Sequence, residues 1–207
     1  MGIRLQLKVR RKHHRSGVRA NALRCESRTS IHLGGRHDGS GAQCRYVLGF
    51  NEPDGQQNSI GPSQAATLWI QYMNPRTSYK KVSPAVQSTS SGLAWPTQFF
   101  NACAGIRTVD YVAVHWNGSV SDIAGLQTFV NQVVSQFSPR PVWVNEHGFT
   151  DGTDGHKATA IALANRYLGG NSGVFRYAYF SCAPNGLLSS SGVGQSSAGR
   201  AYCTTAA

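Results

Sequence analysis

The chain has 207 residues, which suggests one domain, or one domain with an appendage. Its formal net charge of +11 is unevenly distributed, because residues 1–45 contain 11 Lys and Arg residues against only Glu26 and Asp38, whereas the rest of the chain is nearly neutral. This distribution argues against a nucleic-acid-binding globular domain, since the basic character is confined to the front segment.

Residues 1–45 are expected to form a basic, unstructured tail. The segment has no Phe, Tyr or Trp with which to stack nucleic-acid bases. It also has no apolar stretch long enough for a secretory signal peptide or a membrane-spanning helix. A mitochondrial-type presequence, which is rich in Arg and poor in acids, is the alternative interpretation.

From Tyr46 onward, strand-like and helix-like segments alternate along the chain. Apolar and β-branched runs predict the strands, and apolar residues at helical spacing predict the helices. In chain order, the predicted elements are a strand at 46–51, a helix at 61–73, a strand at 81–86, a helix at 92–103, a strand at 111–116, a helix at 122–137, a strand at 141–146, a helix at 157–168 and a strand at 175–181. The Ser- and Gly-rich residues 189–199 are interpreted as a flexible loop.

The alternation predicts an α/β fold whose parallel strands are covered by helices. A doubly wound open sheet would bind its ligand at a Gly-rich phosphate turn, and no G-x-G-x-x-G follows any predicted strand. A (β/α)8 TIM-type barrel, which needs about 250 residues, fits the polar strand ends better. Five recognisable strands therefore predict a partial barrel over residues 46–207 that lacks its first three β-α units.

Two of the predicted strands end on an Asn-Glu pair, Asn51-Glu52 in NEPD and Asn145-Glu146 in NEHG. Residues at the C-terminal ends of barrel strands form the active site, and hydrolysis of a glycosidic bond uses two carboxylates. The pattern predicts that Glu52 and Glu146 are catalytic and that Asn51 hydrogen-bonds a sugar hydroxyl. The alternative is that Glu52 is a charge at a helix N-terminus and Glu146 a solvated loop carboxylate.

The motifs YVLGFNEPD, SPAV, GLAW, VDYVAVHW, PVWVNEHG and RYAYF occur in this order between Tyr46 and about Tyr202. Together they resemble the fungal glycoside hydrolase catalytic-core family typified by alkali-sensitive linkage protein, glycoside hydrolase family 128. The resemblance implies a retaining β-1,3-glucan hydrolase on a (β/α)8 barrel, with Glu52 as general acid/base and Glu146 as nucleophile. The chain departs from the family pattern at the front, because the strands expected before YVLGFNEPD are not recognisable in residues 1–45.

The resemblance also implies an endo-type O-glycosyl hydrolase that is secreted or bound to the cell wall. Such an enzyme is expected to act as a monomer on a polysaccharide, without a cofactor and without nucleic-acid or membrane partners. A non-catalytic glucan-binding cell-wall protein on the same scaffold is the alternative function, although such a protein would have no need of both glutamates.

Three further residues near strand ends are candidates for substrate binding. His115 and Trp116 end the strand between the two glutamates, and alternation predicts that His115 points into the barrel while Trp116 rotates over the rim. Tyr179, near the end of the last strand, is a candidate for a wall of the sugar site. A structural role in the core is the alternative for each of the three. Trp143 is expected to point outward and pack against helices, because it alternates with Glu146.

The remaining chemical signals are weaker. Cys182 and Cys203 could form a disulfide that pins the C-terminus, and buried or free thiols are an equal alternative. The single N-glycosylation sequon, Asn117-Gly-Ser119, falls at a strand end, where a glycan would obstruct a cleft. No His, Asp or Glu cluster has the spacing of metal ligands, so no metal site is predicted.

Overall fold

The computed structural model describes residues 10–11, 46–57, 59–89, 93–103 and 109–205. The predicted basic tail at residues 1–45 therefore lies outside the described residues, except for Arg10–Arg11. In the described part of the chain, no helix is long and apolar enough to cross a lipid bilayer.

In the part of the chain that the structure describes, a six-stranded sheet organises the fold. Its strands are β1 (Arg10–Arg11), β2 (Tyr46–Leu48), β3 (Lys80–Gln87), β4 (Tyr111–Gly118), β5 (Val142–Phe149) and β6 (Val174–Tyr179). They lie in the order β1-β6-β5-β4-β3-β2, in which β2 to β6 are parallel and β1 pairs antiparallel with β6. The five parallel strands form a curled half-barrel, which confirms the predicted partial TIM-type barrel.

A helix follows each of the five parallel strands. The helices are α1 (Pro62–Leu68), which continues into a π-helical turn (Trp69–Met73), α2 (Ala94–Ala102), α3 (Ile123–Phe137), α4 (Asp154–Gly170) and α5 (Ser197–Thr204). The start of α3 is fixed by Asp122, whose carboxylate accepts the N–H of Gly125 at 2.9 Å. Such capping satisfies one of the free N–H groups in the first helical turn.

The largest hydrophobic core lies between the sheet and the helices. It combines alternate strand residues with apolar helix residues, among them Val112, Val114, Val142, Val144, Leu126, Val130, Val133, Ile161 and Leu168. Each fully buried side chain of this kind contributes about 1.5–3 kcal/mol. Side chains alternate along a strand, and Val112 and Val114 point to the helices. Ala113 and His115 therefore point to the inside of the half-barrel.

The inside of the half-barrel holds an aromatic cluster to which Trp143 belongs. Its ring lies 5.2 Å from that of Tyr46, 5.8 Å from that of Tyr111 and 6.0 Å from that of Phe175. The prediction that Trp143 points outward to the helices is therefore wrong. The register between β4 and β5 shifts by one residue at Asn145, and this irregularity puts Trp143 and Glu146 on the same face, although they are three positions apart.

Helix α5 begins inside the range 189–199, which is predicted as a loop. Ser196 Oγ accepts the N–H of Gly199 at 2.9 Å, and the Asp154 carboxylate accepts the N–H groups of Ser197 and Ala198 at 2.8 and 2.9 Å. Asp154 lies on α4, so part of this cap comes from a residue more than 40 positions away in the sequence.

The candidate disulfide between Cys182 and Cys203 is not formed. Cys182 is disulfide-bonded, whereas Cys203 keeps its thiol, and its Sγ accepts a hydrogen bond from Gln195 Nε2 at 3.2 Å.

Candidate active site

Glu52 lies at the edge of the sheet just beyond the end of β2. The chain stays paired with β3 up to this residue, because Gly49 N–H donates to the Val82 carbonyl at 2.9 Å and Glu52 N–H donates to the Ala85 carbonyl at 2.8 Å. A Cβ at Gly49 would lie 2.6 Å from the backbone nitrogen of Pro84. The close approach that Gly49 allows therefore holds the segment against β3 and positions Glu52.

Glu52 has a φ of 44°, in the left-handed region that residues other than glycine seldom adopt. Holding a non-glycine residue there costs about 1–3 kcal/mol, and such strain is concentrated at functional sites. The next residue, Pro53, has no N–H with which to continue the ladder. The segment that continues the pairing after β2 therefore ends at Glu52, with its carboxyl group turned toward the neighbouring strand ends.

His115 lies between the two glutamates. Its Nδ1 is 2.7 Å from Glu52 Oε1 and 3.7 Å from Glu146 Oε2. An ionised carboxylate only accepts hydrogen bonds, so the short contact requires that His115 Nδ1 carries the proton and donates it to Glu52. The imidazole is almost fully buried, at 1% exposure, which fixes it at this point between the carboxyl groups.

Gln87 is a site residue that the sequence analysis does not predict. Its Nε2 donates to the second oxygen of Glu52, Oε2, at 2.9 Å. The backbone N–H of Gln87 in turn donates to the Asp54 carboxylate at 3.1 and 3.2 Å. Gln87 is the last residue of β3 and lies opposite His115 in the register. Its position as a polar residue at the end of a predicted strand is the sequence feature that could have identified it as a site residue.

Glu146 lies in β5 directly opposite His115, and 16% of its side chain is exposed. One carboxylate oxygen from each glutamate and His115 Nδ1 lie within 4.8 Å of one another. Retaining glycosidases separate their carboxyl groups by about 5–5.5 Å, and inverting ones by about 6.5–9.5 Å to admit a water. The nearest Glu52 and Glu146 oxygens, at most 4.8 Å apart, are closer to the shorter of these two separations.

The two carboxyl groups differ in their ionisation. The hydrogen bond from His115 lowers the pKa of Glu52, burial opposes this, and the charge of His115 and the Gln87 hydrogen bond add to the lowering. Burial raises the pKa of Glu146, the charge of His115 opposes this, and the charge of Glu52 adds to the rise. In the site without substrate, Glu52 therefore loses its proton first, and Glu146 stays protonated to a higher pH than Glu52 does.

His147 follows Glu146 but points away from the site. It is fully buried, and its Nδ1–H donates to the Ala178 carbonyl at 2.8 Å. Burial lowers its pKa to about 4, so the ring is neutral near pH 7. His147 thus links β5 to β6 as a structural residue.

The other predicted binding residues lie in different places. Asn51 is half-buried, forms a bridge with Ala85 and directly precedes Glu52. Trp116 and Tyr179 are 4% and 6% exposed and belong to the helix-facing core, so the structure does not support their predicted contact with sugar. Both point away from the site because they are one residue out of phase with the side chains that face the inside of the half-barrel.

Glu52, His115 and Glu146 are also close enough together to be considered as ligands of a cation. The imidazole atom available to such an ion is Nδ1, whose proton makes the 2.7 Å hydrogen bond to Glu52. Metal binding would require this proton to be lost and the hydrogen bond to be broken. The observed contact therefore favours a hydrogen bond between His115 and the Glu52 carboxylate over a metal site.

Comparison with known proteins gives a family match and a set of similar structures. A family model described as glycosyl hydrolase catalytic core matches residues 28–202. None of the curated protein sequences matches the chain with significance.

Three solved structures of glycoside hydrolase family 128 are similar to the half-barrel. A curdlan-specific exo-β-1,3-glucanase of subgroup III from Blastomyces gilchristii has 30% identity and a TM-score of 0.71, and the match covers 77% of this chain and 70% of that one. An endo-β-1,3-glucanase of subgroup IV from Lentinula edodes has 29% identity and a TM-score of 0.66, with 76% and 68% covered. A variant of a subgroup I endo-β-1,3-glucanase from Amycolatopsis mediterranei, in complex with laminaripentaose, has 27% identity and a TM-score of 0.69, with 78% and 72% covered.

Proposed function

The chain belongs to the glycosyl hydrolase catalytic core family, and from this premise we propose that it hydrolyses β-1,3-glucan with retention of anomeric configuration. One observation carries the proposal. Glu52 and Glu146, from separate strands, meet around His115 at the C-terminal edge of the half-barrel, with carboxylate oxygens within 4.8 Å. A non-catalytic glucan-binding protein would not require this partly buried pair.

The substrate class is supported by the similar structures. The three compared proteins are β-1,3-glucanases, two of them endo-acting and one exo-acting, and one is bound to laminaripentaose. Secretion or a cell-wall location, a fungal source and a monomeric state stay predictions that rest on the family resemblance.

The proposed reaction has two displacements at the anomeric carbon. In the first, Glu52 gives its proton to the glycosidic oxygen, the bond from this oxygen to the anomeric carbon breaks, and the Glu146 carboxylate bonds to that carbon. In the second, Glu52 takes a proton from water, the water oxygen bonds to the anomeric carbon, and the bond to Glu146 breaks. Two inversions return the β configuration.

The first displacement needs the proton on Glu52 and a charge on Glu146, the reverse of the preference in the free site. The assignment of Glu52 as acid/base and Glu146 as nucleophile rests on their positions in the family motif. The form that reacts, with Glu52 protonated and Glu146 ionised, is then the minor one of the two singly protonated states of the pair. His115 Nδ1 is 3.7 Å from Glu146 Oε2, so a small movement transfers its hydrogen bond from Glu52 to Glu146. That transfer raises the pKa of Glu52 and lowers that of Glu146.

We expect the full chain to release reducing sugar from a linear β-1,3-glucan, and the first product seen by proton NMR to be the β anomer. A β-1,4-glucan of similar length is the matched control and is expected to stay intact. An initial α anomer would contradict the retaining mechanism, and no release from any β-1,3-glucan would contradict the proposed function.

His115→Ala is expected to lower kcat at least about 10-fold with little change in KM, because the ionised Glu146 of the reactive form then lacks the hydrogen bond from His115, and a hydrogen bond to a charged group contributes about 1.5–3 kcal/mol. Losing the hydrogen bond from His115 to Glu52 raises the pKa of Glu52, so the acidic limb of the kcat/KM profile moves to higher pH. His156→Ala, at an exposed position on α4, is the control. A His115 variant that lost only thermal stability, with an unchanged pH profile, would assign the residue a structural role.

A further inference from the structure

Asn117 is an exposed amide at the end of β4 that the proposed mechanism does not use. It comes two residues after His115, and side chains two apart on a strand share a face. The ring of Trp116 lies against Gly118, since a Cβ at Gly118 would be 2.5 Å from Trp116 ring atoms. Trp116 and Gly118 therefore face the helices, and Asn117 faces the same side as His115.

Gly148 makes room for the Asn117 side chain. The two residues are partners in the register of β4 and β5, and a Cβ at Gly148 would lie 2.7 Å from Asn117 Oδ1. Gly148 comes two residues after Glu146, so the amide lies over the strand just beyond the catalytic pair. Because the φ of Gly148 is not in the left-handed region, glycine is favoured here by the close approach of Asn117 Oδ1 and, at 3.1 Å from the Cβ position, of the Phe180 carbonyl oxygen.

The Asn117 amide makes no side-chain hydrogen bond with the residues that the structure describes. It offers two donors and one acceptor, the complement of sugar hydroxyl groups. Two residues along a strand span about 6.6 Å, which places the amide one step outward from His115 and Glu146 along the rim. A glucan chain that leaves the catalytic pair across the ends of β4 and β5 would pass this position.

We propose that Asn117 binds a hydroxyl of the glucose unit next to the catalytic pair and so determines how tightly the glucan chain is held; this inference rests on the proposed glucanase function. Asn117 is also the acceptor of the sequon Asn117-Gly-Ser119. A glycan on its nitrogen would occupy the same position at the rim. The substrate-binding form of the protein is therefore the one with an unmodified Asn117.

The test uses the full chain from a bacterial host, in which the sequon stays unmodified. Asn117→Ala is expected to lower kcat/KM on laminarihexaose about 2- to 10-fold, the effect of losing one hydrogen bond. The dissociation constant of laminarihexaose, measured by calorimetry with Glu146→Gln as the parent, is expected to rise by a similar factor. Ser119→Ala removes the sequon but keeps the amide, and it is the matched control with unchanged values.

Gly148→Ala separates a sugar contact from a general effect on the fold. Its methyl group displaces the Asn117 amide, so this variant should show a loss similar to that of Asn117→Ala. The same substitution in an Asn117→Ala background should cost less than it does in the parent, because only the contact of the methyl group with the Phe180 carbonyl then remains.

Two results would overturn the inference. One is an active parent enzyme in which Asn117→Ala binds and cleaves laminarihexaose as well as Ser119→Ala does. The other is full additivity of the Asn117 and Gly148 substitutions. If the unmodified chain neither cleaves β-1,3-glucan nor, as Glu146→Gln, binds laminarihexaose, then the proposed function itself is wrong and the Asn117 inference is wrong with it.

Discussion

Glu146→Gln is expected to abolish glucan hydrolysis while the protein stays folded. The amide has nearly the shape of the carboxyl group but cannot form the covalent glycosyl-enzyme, so turnover should fall by about 10⁴-fold or more. Initial rates on laminarihexaose measure the loss, and calorimetry on the same sample checks that the oligosaccharide still binds.

The same variant also has a predictable effect on stability. Burial raises the pKa of Glu146 in the folded protein, so stability falls as pH rises from the unfolded value through the folded one. Removing the titrating group should therefore raise the melting temperature near pH 7 and have little effect at low pH. A variant with normal turnover, or one that lost turnover only because it unfolded, would contradict the assignment of Glu146 as nucleophile.

Glu52→Gln is expected to lower turnover of unmodified glucan by about 10²- to 10⁴-fold, the usual contribution of general acid–base catalysis. A dinitrophenyl laminaribioside has a leaving group that needs no protonation, so its first displacement should stay fast. The glycosyl-enzyme then accumulates, because water lacks its base, and a burst of dinitrophenol is the signal. Added azide attacks without a base, so it should restore turnover and yield a β-glycosyl azide.

The pH dependence of Glu52→Gln gives an independent check of the roles. Only the ionisation of Glu146 then controls the burst, so the burst rate should rise with pH through the pKa of Glu146 and stay high. The parent should instead show a bell-shaped profile on glucan, since its reactive form carries one proton on the pair. Equal losses on glucan and on the activated substrate, without azide rescue, would argue against Glu52 as the acid/base.

The α/β alternation and the two Asn-Glu strand ends are properties of the sequence itself. Apolar runs at periods of two and 3.6 define strands and helices locally, and parallel strands must present their C-terminal ends at one edge. For this reason the sequence alone predicts that Glu52 and Glu146 lie together, and the alternation of residues along the strand predicts that His115 lies on the inner face.

Strand register and long-range capping depended on the tertiary structure. One extra residue at Asn145 puts Trp143 inside the half-barrel, a change that strict alternation cannot express. The Ser- and Gly-rich sequence around α5 favours a loop locally. The helix forms there because the Asp154 carboxylate of α4 caps its first turn, a contact that the local sequence does not reveal. The helix-facing burial of Trp116 and Tyr179 likewise follows from which face the helices cover.

The electrostatics of the site were decided by tertiary structure alone. The sequence supplies two glutamates of the same chemistry, and only their surroundings make them different. Two donors, His115 and Gln87, converge on Glu52, whereas Glu146 is placed where burial outweighs the charge of His115. A pKa depends on solvent exposure and on neighbours brought in from distant strands, and neither is encoded in the residues adjacent to a glutamate.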